Sequence, residues 1–97
     1  MLKMVNSTYP LTRSKEVAEA FMKSSEKPLS YANRLGTWTG YGGEGVNVWS
    51  IYELEKGHEE EGSNELVKLL VNFYHIEGFK VNIQTVLKPE DAIQMIL

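Results

Sequence analysis

Apolar and polar residues recur along this chain in short blocks that can be assigned one at a time. Leu2 to Tyr9 mixes β-branched and aromatic residues and stops at Pro10, which predicts a first strand. Thr12 or Ser14 is then placed to cap a helix, with Glu16 in the first turn where the helix dipole favours an anion. Val17, Ala18, Phe21 and Met22 recur at helical spacing and are expected to face a core. Pro28 ends this helix by disfavouring helical geometry at Lys27. Tyr31 to Tyr41 and Val46 to Leu54 read as two strands. The Gly42-Gly43-Glu44-Gly45 run between them supplies the positive φ angles of a hairpin reversal. In the later strand Val46, Val48, Ser50 and Tyr52 share one face, and Asn47, Trp49, Ile51 and Glu53 the other.

A second helix follows Glu55-Lys56-Gly57, starting either within His58 to Glu61 or at Ser63. Its core stripe is Leu66, Leu69, Leu70, Phe73 and Ile76, with Gly78 as the terminating glycine. Phe79 to Leu87 alternates as a fourth strand, placing Phe79, Val81, Ile83 and Leu87 opposite Lys80, Asn82 and Gln84. Pro89-Glu90-Asp91 opens a short last helix with Ile93, Ile96 and Leu97 on its apolar edge. The order β-α-β-β-α-β plus a terminal helix is the ferredoxin-like arrangement, an α+β fold. Right-handed crossovers put both helices on one face of a four-stranded antiparallel sheet.

That arrangement leaves the other sheet face bare. The fourth strand suits water there, with Lys80, Asn82 and Gln84. The middle strands do not. Either Trp38, or Leu35 with Tyr41, must point away from the helices, as must either Trp49 with Ile51 or Val48 with Tyr52. A patch of that kind marks an interface or a ligand site. A homodimer is the expected outcome, since two-fold pairing is the commonest closed solution. The competing arrangement is a monomer whose last helix folds back over its own sheet.

Composition narrows the class of partner. The 97 residues suit one domain spanning 1–97. With 10 basic and 13 acidic residues, the basic ones scattered singly, no nucleic-acid footprint is expected. No apolar run reaches the length of a membrane span, and no secretion signal is evident. The chain has no cysteine, which excludes disulfides and thiolate chemistry and fits a reducing, cytoplasmic setting.

The Leu35-Gly36-Thr37-Trp38 strand, the glycine-rich hairpin and the Val81-Asn82-Ile83 strand resemble the dimeric α/β-barrel superfamily. Within it the chain is most similar to small uncharacterised members in which a Leu-Gly-x-Trp strand precedes a glycine-rich turn. The resemblance implies two sheets packed face to face and a cleft between sheet and helices. It also implies a range of activities, from cofactor-free quinone-forming monooxygenases and muconolactone isomerase-like enzymes to haem-dependent and stress-responsive proteins. Fold alone does not choose among them.

Candidate chemistry is sparse. His58 and His75 match no metal-ligand spacing, and each reads first as a solvent-facing helix-end histidine. His75 is the only axial-ligand candidate for a haem protein of that superfamily. Glu59-Glu60-Glu61 reads as an acidic helix start before it reads as a cation site. Neither a cofactor nor a metal site is expected. Trp38, Trp49, Tyr41 and Tyr52 form an aromatic group on the central hairpin, and Asn47, Asn82 and Gln84 could orient a carbonyl or hydroxyl. The expected ligand pocket is therefore Trp38, Asn47, Trp49, Asn82 and Gln84, taking a small apolar molecule. The alternatives are a cofactor-free monooxygenase or isomerase acting on an aromatic or lactone substrate, and a regulatory protein-interaction module.

Overall fold

The computed structural model describes residues 1–97. Its elements run β1 (Leu2–Tyr9), a 3₁₀ turn (Leu11–Arg13), α1 (Ser14–Ser24), β2 (Ala32–Gly42), β3 (Gly45–Leu54), α2 (Glu59–Val71), β4 (Lys80–Val86) and α3 (Pro89–Ile96). The four strands form one antiparallel sheet in the order β2-β3-β1-β4. This is the ferredoxin-like α+β topology, with a short C-terminal helix. No helix is long and apolar enough to cross a membrane.

Strand register decides what each face carries. Val5 lies opposite Ser50 and Ile83, and Ser7 opposite Val48 and Val81. That side of the sheet meets the helices. Val5, Tyr52 and Leu54 cluster there with Val17 and Ala20 of α1 and with Leu66 and Leu70 of α2. Leu66 is 1% exposed. The stripe expected for the second helix holds as a packing face, since Phe73 and Ile76 are buried too. Its α-helical part is shorter than expected, because beyond Val71 the chain continues as successive i to i+3 turns as far as Gly78. Gly78 reverses the path at φ +81.

Three local expectations are corrected. Neither Thr12 nor Ser14 caps α1; the Ser14 hydroxyl donates to the Leu11 carbonyl at 2.7 Å, closing the 3₁₀ turn instead. Ala18, Phe21 and Met22 are exposed, and α1 buries Val17 and Ala20. Helical spacing orients a stripe, but α1 stands off the sheet, so its second turn is only partly covered. In the hairpin Gly42 pairs with Gly45 across a two-residue loop, and only Gly45 of that run takes a positive φ, at +119. A Cβ on Gly45 would lie 2.4 Å from the Tyr9 carbonyl oxygen, so close approach to β1 also requires glycine here.

The register of β2 shifts between Arg34 and Gly36, leaving Leu35 as an extra, exposed residue. The bulge sets the parity of everything after it, sending Thr37 and Thr39 toward the helices and Trp38 away from them.

Candidate functional site

A cavity of about 340 Å³ separates the helices from the sheet. It is lined by 18 residues, 13 of them hydrophobic. The ceiling comes from α1 (Val17, Ala18, Phe21, Met22) and from α2 with its following turns (Leu66, Leu69, Leu70, Phe73). The cavity exists because α1 lies off the sheet: its small Ala18 and half-open Phe21 do not fill the space above Ser7, Val48 and Ser50. Its size and lining match ordinary small-molecule sites.

The sheet floor supplies four of the five polar lining residues, and α1 supplies the other, Ser14. Ser7, Ser50, Thr37 and Thr39 all project toward the cavity, brought together by the pairings of Thr37 with Ser50 and of Thr39 and Ser7 with Val48. The Thr37 and Ser50 hydroxyls share a 2.9 Å hydrogen bond. Tyr9 and Tyr52 are the titratable groups of the lining; no carboxylate, amine or imidazole belongs to it. Burial pushes the Tyr52 hydroxyl up from its ordinary value, with the Arg34 charge and a Ser50 hydrogen bond acting in the opposite sense. Burial raises Tyr9 as well, with Tyr41 adding to the effect. Both phenols therefore stay protonated near neutrality. The site can hold an apolar body and donate or accept a few neutral hydrogen bonds, and it has no strong base.

The residues expected from the sequence as a pocket lie elsewhere. Trp38, Asn47, Trp49, Asn82 and Gln84 all stand on the opposite, uncovered face of the sheet, and none lines the cavity. Register does bring them together there. Asn82, Asn6, Trp49 and Trp38 form one row across the four strands; Gln84 shares the row on one side of it with Met4 and Ile51, and Asn47 the row on the other side with Thr8 and Lys80. Trp38 is 57% exposed and Trp49 38%. The expected aromatic group splits: Tyr52 is buried on the helix side, and Tyr41 is exposed near the hairpin tip. The floor hydroxyls were not singled out in the sequence, because a serine or threonine within an alternating strand reads equally well as a solvent position.

The histidines remain outside the cavity. His58 stacks on Tyr31, ring centroids 4.4 Å apart, and its Nδ1 contacts the Glu61 carboxylate. That contact is the main cause of a raised imidazole pKa. Glu65 accepts the Ser30 and Tyr31 backbone N–H groups at 2.7 and 2.6 Å, tying the start of β2 to α2. No group of His, Asp and Glu side chains is arranged to hold a metal ion.

No protein-family model matches the chain, and no curated protein matches it in sequence. Its fold is similar to the solution structure of the C-terminal domain of the MgtC protein from Mycobacterium tuberculosis. That likeness has a TM-score of 0.56 at 15% identity over 86% of this chain and 84% of that one. It is also similar to part of a formyltetrahydrofolate deformylase from Pseudomonas putida, with a TM-score of 0.50 at 4% identity over 88% of this chain and 28% of that one. At these identities the likeness is one of fold. It supports the ferredoxin-like fold and does not single out the dimeric α/β barrel.

Proposed function

We propose that residues 1–97 act as one homodimeric, cytoplasmic, ferredoxin-like domain that binds a small, largely apolar ligand between sheet and helices. The observation that carries this reading is the cavity itself: about 340 Å³ of apolar-walled space with a hydroxyl-bearing floor. It is a cleft with Phe21 and Met22 of its lining exposed, and a concave, mainly apolar space of this size is the usual form of a small-molecule site. The absence of a base or carboxylate among the lining residues favours binding over acid–base catalysis.

The other face supports the dimeric part of this reading. Met4, Trp49, Ile51 and Trp38 form an apolar patch on a sheet side that no helix covers. Ile96 at the end of the terminal helix and Leu97 just after it are 84% and 94% exposed, a second surface that solvent does not favour. Two sheets meeting through the tryptophan rows would form the dimeric α/β barrel.

The test is an amide NMR titration of the full chain with 1-octanol. Shifts are expected at Val5, Ser7, Ser50 and Phe73 and not at Asn82 or Gln84; no shift, or shifts confined to the uncovered face, overturns the binding site. Sedimentation tests the assembly: the wild type should run at twice the 11.0 kDa of one chain, and Trp49→Glu should run as a folded protomer. A wild-type protomer at high concentration refutes the dimer.

A further inference from the structure

The cavity wall has a second side. Phe21, Leu69 and Tyr52 line the cavity and also line a depression where the chain passes from α1 into β2. Two cations, Lys27 and Arg34, border that depression, and no carboxylate does. This is a local excess of positive charge in a chain whose formal net charge is -3. The Arg34 guanidinium lies over the Phe21 ring, 5.4 Å from its centroid. Arg34 makes no ion pair; the three in the protein use Arg13 and His58. Its charge also reaches the cavity, where it opposes the effect of burial on the Tyr52 hydroxyl.

An unpaired guanidinium fixed on an aromatic face at the rim of an apolar space is suited to one ligand chemistry. Its planar fork offers two parallel N–H groups to a carboxylate, and stacking on Phe21 holds the fork in place. A wholly apolar or neutral ligand would leave Arg34 unused; a small inorganic anion would leave the cavity unfilled. We propose that the cavity and this cationic rim together bind a small amphipathic carboxylic acid, its hydrocarbon part in the cavity and its carboxylate on Arg34, with Lys27 beside it. The proposal rests on the cavity being the binding site and adds the class of molecule it takes.

Calorimetric titration of the full chain with octanoate and with 1-octanol, both below their aggregation concentrations, tests it. Wild type should bind octanoate about tenfold more tightly than octanol, the value of a charge-assisted hydrogen bond. Arg34→Gln should remove that difference while leaving octanol affinity within about twofold, and Arg34→Lys should restore part of it. Added salt should weaken octanoate and spare octanol. Equal affinities in the wild type, or octanoate binding indifferent to Arg34→Gln, refutes the charged rim while octanol binding leaves the cavity reading standing. If neither ligand binds, or if both bind undiminished to Ser50→Phe, which should fill the cavity, then the cavity reading fails and the proposal with it. Thermal melts of each variant verify that it is folded.

Discussion

Trp38 and Trp49 are direct register partners on β2 and β3, and each ring lies back over a glycine of β2. A Cβ on Gly36 would come within 2.6 Å of the Trp38 ring, and one on Gly40 within 3.1 Å of the Trp49 ring. The two glycines are thus seats for the tryptophans and give the uncovered face its relief.

Substituting the tighter seat should move the ring above it. Gly36→Ala is expected to alter near-ultraviolet circular dichroism and tryptophan emission, and Gly40→Ala to alter them less. Trp38 is exposed and can swing outward, so stability should fall by only about 1 kcal/mol. Unchanged spectra in Gly36→Ala would mean the ring does not rest on that glycine.

The α2 core stripe should be costly to truncate. Leu70→Ala and Phe73→Ala remove side chains buried among Val5, Val17 and Tyr52. Losses of about 2 to 5 kcal/mol each are expected in urea melts. Because the cavity adjoins both residues, Ala18→Leu on the α1 part of the same ceiling should be tolerated far better than a normal core enlargement.

Gly62 presents the opposite case to most helical glycines. Alanine at such a position ordinarily favours a helix by about 1 kcal/mol. Here a Cβ would meet Leu54 Cδ2 and the Tyr31 carbonyl oxygen, both at 2.9 Å. The carbonyl belongs to backbone that cannot yield alone: the Tyr31 N–H is held by Glu65, and its oxygen accepts from the Glu55 N–H. Gly62→Ala should therefore destabilise by about 1 to 3 kcal/mol, read as a lower urea midpoint. A rise in midpoint would show that α2 can slide away from β2.

Stability should also respond to pH through His58. Its hydrogen bond to Glu61 raises the folded-state pKa above the ordinary imidazole value, with smaller contributions from Glu55 and Glu59 against a desolvation effect of opposite sign. A raised folded pKa means that the contribution is complete below about pH 6.5, the unfolded value, and is lost as pH rises through the folded value. Glu59 acts at the acid end, its carboxyl lowered by backbone N–H groups of its own residue and of Gly57. That contribution is present above the unfolded carboxylate pKa and is lost on acidification. Melts across pH 5.5 to 9 should show a downward step that Glu61→Gln removes; an identical profile in that variant would separate His58 from the effect.

The elements most legible in the sequence were those whose signal is periodic. The Leu66 to Ile76 stripe and the split of β3 into a Val46, Val48, Ser50 and Tyr52 face and an Asn47, Trp49, Ile51 and Glu53 face are both present in the folded chain. Alternation could not say which of those faces the helices would cover. That depended on packing and, for β2, on a one-residue bulge at Leu35 that alternation cannot register. The cavity was hidden for a different reason. It arises from how far α1 stands from the sheet, and no residue pattern encodes a distance. The aromatic and amide residues expected to line a pocket stand on the uncovered side of the sheet, away from this cavity.

The bulge at Leu35 has a consequence for the life of the protein in crowded solution. β2 is the longest strand and lies at the sheet's margin with one row of backbone groups unclaimed. A long, regular margin would invite strands from other molecules to add on and propagate. Leu35 breaks the spacing of that row near its start, and glycines at 36, 40 and 42 deprive it of the side-chain ladder an incoming strand would need. Closing the bulge by deleting Leu35 should therefore raise the tendency of the molecule to form fibres.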